Sequence, residues 1–229
     1  MKISNLGMIV AAGGAGKRFS VNQNKLLAEF HGQPVLLHAL RHFLPNLTPG
    51  MLVVVAPKNM LELMRALCDE AFPANRIIWC RGGATRIASV YNGFCAFRQQ
   101  PEWIAVHDAA RPLADAALLQ RLLDAASECG GAIPGKTPVD TVKIIDQEGF
   151  VAANLARSAL FLTGTPQVFH GESYRKALSL LPEAVRNGSE EPPELTDDAA
   201  IFVRAGFRVK AVYSNDPNPK ITIQDDLKR

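Results

Sequence analysis

The sequence has no C-x-x-C pair and no apolar run near the roughly 18 residues that a membrane-spanning helix requires. Its four cysteines, Cys68, Cys80, Cys95 and Cys129, stand far apart. That spacing fits buried free thiols in a reducing compartment better than a disulfide frame or a metal knot. Charge of one sign is also lacking: 25 basic against 22 acidic residues leave a net +3, too little for the broad cationic face of a nucleic-acid binder. Any anion site is therefore local. His38 and His42 lie one helical turn apart in HALRH, but the glutamate of a zinc-protease helix is missing, so they read as ordinary helix-face residues. The start, MKISNLGMIVAAGGAGKRFS, mimics a secretory signal, yet its apolar stretch is short and runs into Lys17 and Arg18. Retention in the cytoplasm follows as the expectation, with neither membrane nor nucleic acid as a partner.

What is present is a 229-residue chain with 48% hydrophobic content, enough for one substantial core and, by length, one domain over 1–229. Short apolar runs alternate with amphipathic segments. Strands are expected at 8–12, 51–56, 76–80 and 103–108, and helices at 35–44, 57–71, 85–97 and 115–130. Pro34 and Pro57 suit first helical turns, Thr85 suits an N-cap, and Gly130 suits a helix end. Residues 25–30 read as extended. This alternation predicts an α/β fold with a mostly parallel sheet covered on both faces. In such sheets ligands bind beyond the carboxyl ends of the strands, which directs attention to 13–20, 81–85 and 108–113.

The alternation breaks at residue 135. VDTVKII and FVAAN flank the turn DQEG and predict an antiparallel hairpin at about 136–158, which is marginal alone and needs a surface to rest on. Beyond it, 161–169 reads as one strand, 172–181 as a helix and 182–195 as a polar loop rich in Pro and Glu. Residues 196–206 read as a helix capped by Thr196, with Asp197 and Asp198 in its first turn, where the macrodipole favours acids. Two short strands joined by a proline-stiffened loop close the chain.

The stretch VAAGGAGKRFS, Val10 to Ser20, is rich in glycine and cations. A P-loop needs glycine where Ala11 stands and Ser or Thr where Arg18 stands; a dinucleotide fingerprint needs glycine where Phe19 stands. Both patterns fail. A glycine turn whose N–H groups approach an anion closely, with Lys17, Arg18 and Lys25 nearby, remains, beside the plainer reading of a flexible turn with solvated cations.

AAGGAGKRF with Lys25 resembles the phosphate loop of nucleotidyltransferases that make nucleotide-activated sugars and polyols. RGGATRIASVYNGF, VHDAARP, PVDTVK, TGTPQVF, TDDA and NPKITIQDDL follow in the order typical of the 2-C-methyl-D-erythritol 4-phosphate cytidylyltransferases, and the likeness spans nearly the whole chain. The resemblance implies a Rossmann-like sheet with a protruding hairpin arm. It also implies that CTP and a polyol phosphate are substrates and Mg²⁺ a cofactor. Main chain at Ala11, Ala12 and Gly82, with the Ser89 hydroxyl, would read the cytosine; Gly13, Gly14, Asp108 and Ala109 would lie near the ribose and α-phosphate. Arg18 and Lys25 would grip the triphosphate, and Asp108 would hold the metal. Arg111, Thr141, Arg157, Thr165, Asp216 and Lys220 would hold the acceptor, with Arg18, Lys25, Asp108 and Lys220 as the catalytic set. The arm would cross to a second copy in a homodimer, taking Thr141 and Arg157 into the neighbour's site.

The chemistry of the residues agrees with that implication. A phosphate monoester, with a second pKa of about 6, is already largely deprotonated at neutral pH. Its attack on an α-phosphorus needs positioning and charge stabilisation rather than a base, which Lys, Arg, Thr and glycine main chain supply. His107 reads as structural. The same motifs fit a ribitol 5-phosphate enzyme or an inactive nucleotide-binding homologue. Two departures from the family stand out: a longer acidic loop at 182–195, and an end at Arg229 where relatives commonly continue into a helix. A truncated chain, a short natural variant and a piece of a bifunctional protein all fit that end.

Overall fold

The computed structural model describes residues 5–13, 19, 24–74, 77–215 and 218–228. Its strands and helices follow in chain order: β1 Leu6–Ala11, β2 Glu29–Phe30, β3 Gln33–Pro34, α1 Val35–Arg41, β4 Leu52–Ala56, α2 Leu61–Ala71, β5 Ile77–Arg81, α3 Arg86–Cys95, β6 Trp103–Asp108, α4 Ala116–Cys129 and β7 Gly131–Lys136. There follow β8 Lys143–Ile145, β9 Val151–Asn154, β10 Leu162–Thr163, β11 Gln167–His170, α5 Gly171–Ser179, α6 Glu183–Asn187, α7 Asp198–Arg204 and β12 Lys210–Tyr213. The buried strands β1, β4 and β6 lie side by side in parallel, with β5 outside β4, because each crossover carries its helix onto a face of the sheet. On the other side of β6, β11 and then β7 run antiparallel to their neighbours, and β12 pairs parallel to β7. The mostly parallel sheet expected from the alternation is observed, with two apolar clusters, one centred on Met8, Val10 and Leu36 and the other on Ile9, Val53 and Phe169.

Local chemistry explains where elements start. The Thr85 hydroxyl accepts from Ala88 N–H at 3.1 Å and opens α3; Gly130 closes α4 in the left-handed region at φ 97°. Asp115 caps α4 through Leu118 N–H.

Several boundaries differ from expectation. α2 begins at Leu61 rather than Pro57, since Met60 N–H bonds to Pro57 O in a separate turn. α1 ends at Arg41 and a 3₁₀ turn containing Pro45 follows. Of 25–30 only Glu29–Phe30 is strand, because Leu26 N–H bonds to the Asn24 side chain and folds 24–27 into a turn. The strand expected over 161–169 is split at Gly164–Pro166, and its halves β10 and β11 pair with opposite ends of β7. Asp197, not Thr196, caps α7: its carboxylate accepts from Ala200 N–H at 2.9 Å. The loop at 182–195 contains α6. Only one of the two closing strands forms, because Thr222 and Ile223 N–H both bond to the Asp226 carboxylate and turn the chain into a 3₁₀ helix.

β8 and β9 form the expected antiparallel hairpin, with partners Lys143 to Asn154 and Ile144 to Ala153. Every residue in these two strands is exposed.

Candidate active site

The carboxyl ends of β1 and β6 meet where Ala109 N–H bonds to Ala11 O at 3.1 Å. Beyond them lies a cavity of about 320 Å³, lined among others by Ala11, Ala12, Gly13, Lys25, Ser89, Asp108 and Lys220. The third wall is the turn between β5 and α3. Gly83 is required there: a Cβ would stand 2.5 Å from that of Ala88. A Cβ on Gly82 would meet the Ser89 hydroxyl at 3.1 Å. Ser89 is buried and bonds back to Thr85 O at 2.8 Å, while its oxygen accepts from Gly83 N–H at 3.0 Å. The hydroxyl thus ties the turn to the helix and stands at the cavity wall.

Asp108 is the electrostatic centre. Its carboxylate lies 2.8 Å from Lys220 Nζ, 3.7 Å from Arg86 Nε and 3.8 Å from Arg111 Nε, and its side chain is 11% exposed. Burial alone would raise its pKa, but Arg86 and then Lys220 outweigh burial and hold it at about 2. The acid is ionised at neutral pH. Its main-chain N–H donates to Thr165 Oγ1 at 2.9 Å, and the Thr165 hydroxyl lies 3.1 Å from His107 Nδ1. His107 Nε2 lies 3.2 Å from Arg111 O, an acceptor only. Nε2 therefore carries the proton and Nδ1 accepts from Thr165. Burial lowers the His107 pKa to about 4, so it is a neutral connector and not a base poised near pH 7.

Beside it is a second cavity of about 770 Å³, bounded by Arg111, Gly135, Lys136, Gly164 and Asn218. Arg111 packs flat over Gly164, where a Cβ would stand 3.2 Å from Nη1, and donates to Asn218 O at 2.8 Å. Asn218 Nδ2 in turn donates to Thr165 O at 2.7 Å. Lys25 reaches across to Ile221 O at 3.1 Å, so the C-terminal segment that carries Lys220 is tied to the wall of the smaller cavity.

Of the residues singled out in the sequence, Ala11, Ala12, Gly13, Lys25, Gly82, Ser89, Asp108, Ala109, Arg111, Thr165 and Lys220 thus gather around two adjoining cavities. Thr141 and Arg157 do not. Both are exposed on the arm, where Arg157 Nη1 donates to Val139 O at 2.6 Å. Gly14, Arg18 and Asp216 lie outside the described residues. Among the residues lining the smaller cavity, the charged Arg86 and Glu191 escaped the sequence reading. Arg86 directly follows the Thr85 cap, a position at a strand-end loop that could have marked it. Glu191 lies in the acidic loop, which Gly188, at φ 83° with Ala84 and Ala88 beside it, seats against the β5–α3 turn.

A parallel sheet whose strand ends offer glycine main chain, converging cations and one ionised carboxylate defines a nucleotidyltransferase-type site, and comparison with known proteins agrees. The family model "IspD: 2-C-methyl-D-erythritol 4-phosphate cytidylyltransferase" matches residues 6–229. A Microcystis aeruginosa 2-C-methyl-D-erythritol 4-phosphate cytidylyltransferase is 34% identical over 220 residues, 96% of this chain and 94% of that protein. The bifunctional enzyme IspD/IspF of Allorhizobium ampelinum is 35% identical over 227 residues, 96% of this chain but 54% of that one. The crystal structure of the Thermus thermophilus cytidylyltransferase superposes with a TM-score of 0.74 at 27% identity, covering 100% of this chain and 96% of that one. The chain belongs to the 2-C-methyl-D-erythritol 4-phosphate cytidylyltransferase family.

Proposed function

We infer that the chain transfers the cytidylyl group of CTP to 2-C-methyl-D-erythritol 4-phosphate and releases pyrophosphate, a step of isoprenoid biosynthesis. The observation that carries this reading is the convergence of Lys25, Lys220 and Asp108 on one cavity walled by glycine main chain and Ser89. The base fits against Ala11, Ala12, Gly82 and Ser89, where backbone groups can pair with its edge. Lys25, with Arg18, binds the triphosphate and offsets the negative charge that grows on the phosphorus oxygens during displacement. The acceptor phosphate, held by Arg111 and Lys220, attacks the α-phosphorus in line and pyrophosphate leaves on the opposite side. No protein base is needed, and the neutral His107, hydrogen-bonded at both ring nitrogens, is consistent with that.

Among the described residues there is no cluster of three His, Cys, Asp or Glu side chains able to hold a metal by itself. A single ionised carboxylate does suit Mg²⁺, which takes most of its ligands from phosphate oxygens and water. Asp108 would hold the ion or its waters; when bound, it neutralises triphosphate charge. The exposed arm, with Val139 80% and Phe150 67% exposed, supports a homodimer in which each arm brings Thr141 and Arg157 to the other copy's acceptor cavity. Among the described residues no helix is long and apolar enough to cross a membrane; we place the enzyme in the cytoplasm, with its small-molecule substrates and no nucleic-acid partner.

Pyrophosphate release measured with CTP, Mg²⁺ and either 2-C-methyl-D-erythritol 4-phosphate or ribitol 5-phosphate tests this reading. Turnover is expected with the methylerythritol phosphate; turnover with ribitol 5-phosphate alone would overturn it.

A further inference from the structure

Asp108 faces three cations; of these Arg111 also bounds the larger cavity, and Lys220 lines the smaller one beside it. A phosphate bound by Lys220 and Arg111 would share their hold on Asp108, and a third cation would then keep its carboxylate in place. Arg86 is built for that. Its Nη2 lies 2.7 Å from Asp198 Oδ2 and its Nε 3.7 Å from Asp108 Oδ1, so one guanidinium spans two carboxylates. Asp198 has no exposed surface, and the Tyr174 hydroxyl donates to its other oxygen at 2.5 Å. Tyr174 is likewise fully buried, stacked on Phe169 at 5.1 Å and edged by Phe94 at 5.8 Å. The line Phe169–Tyr174–Asp198–Arg86–Asp108 runs from the packed core to the reacting end of the cavity.

Burying a carboxylate in an apolar cluster is costly, and well-packed apolar residues often replace a buried ion pair without loss of stability. An unexposed Asp198 makes sense if Arg86 has to be immobile. Its surroundings support that: α7 is pinned at its start by Ala199 N–H to Gln167 Oε1 at 3.1 Å, and Gln167 Nε2 donates to the Asp197 carboxylate at 2.8 Å. Gln167 belongs to β11, which pairs directly with Val106 of β6, two residues before Asp108.

We propose that Arg86 is a positioning residue that holds the Asp108 carboxylate in one orientation while substrates exchange, and that Asp198 and Tyr174 hold Arg86. The proposal rests on the cytidylyl-transfer reading. Arg86 acts through Asp108, so its loss degrades turnover while leaving the base pocket, made by main chain and Ser89, able to bind CTP.

The test compares Arg86→Lys, Asp198→Asn and the double variant Arg86→Ala/Asp198→Asn, which leaves no unpaired buried charge if Arg86→Ala alone fails to fold. For each, kcat is taken from pyrophosphate release, and CTP affinity is taken separately by calorimetry. A misplacement of about 1 Å costs on the order of 100-fold in rate, so the double variant should lose about that factor in kcat with the CTP Kd within about threefold of wild type. Arg86→Lys should recover part of it, since its cation can face only one carboxylate at a time. A kcat within about threefold of wild type in the double variant overturns the proposal. So does a CTP Kd that rises in step with the loss of kcat, which would mark Arg86 as a prop for the α3 turn. Wild-type protein that releases no pyrophosphate from CTP and 2-C-methyl-D-erythritol 4-phosphate would instead sink the underlying reading and the proposal with it.

Discussion

The parallel half of the sheet and the hairpin arm solve opposite problems. In the first, β1, β4 and β6 bury their side chains on both faces, and the strand ends converge on a cavity. In the second, two short strands leave Ile145 64% and Val151 63% exposed, and Arg157, just after them, lines neither of the two cavities described above. A two-stranded ribbon gains too little from its own pairing to be stable. On the proposed reading, the nucleotide side is built within one copy and the acceptor side is finished by association with a second.

The largest effect that would sharpen this contrast is on the nucleotide side. Lys25→Ala should lower kcat roughly 100-fold or more, as removal of one preorganised charge-stabilising donor does, with little change in the thermal midpoint. An almost unchanged rate would take Lys25 out of the catalytic set.

A smaller effect lies in the connector between the two sides. His107 is neutral in the fold, with a pKa of about 4 against 6.5 when unfolded. Between those values the unfolded chain binds a proton that the native one does not, so the contribution is complete above pH 6.5 and declines as pH falls toward 4, by about 3 kcal/mol in all. Asp108, with its depressed pKa, adds its own loss only lower, as pH falls from about 4 toward 2. Urea midpoints across pH 4–7 should slope for the wild type and flatten in this window for His107→Gln; equal slopes would contradict this.

The same contrast divides what the sequence disclosed from what it hid. Strand–helix units such as 51–71 or 103–130 carry their signals locally, in apolar runs, the Thr85 cap and the Gly130 stop, and so do the loops they place at the site. β7 did not announce itself: Gly131, Pro134 and Gly135 look like a turn, and only pairing with β11 and β12 makes them a strand. At the break, Gly164 leaves room for Arg111, a contact between distant segments that is likewise not local. Asp198 had an adequate local explanation as a first-turn acid, which concealed its pairing with Arg86, because a contact between distant segments leaves no periodicity to read. The hairpin was legible in its turn and its alternating strands, but what covers its exposed face has no local signal.

Mixing Lys25→Ala with Arg157→Ala after subunit exchange tests this division of labour most directly. If each acceptor site takes Lys25 from its own chain and Arg157 from its neighbour, a mixed dimer has one site with both defects and one with neither. Random pairing should then restore about a quarter of wild-type pyrophosphate release, while each variant alone stays nearly inactive. Activity no greater than the sum of the separate variants, in a sample shown to have exchanged subunits, would contradict the account.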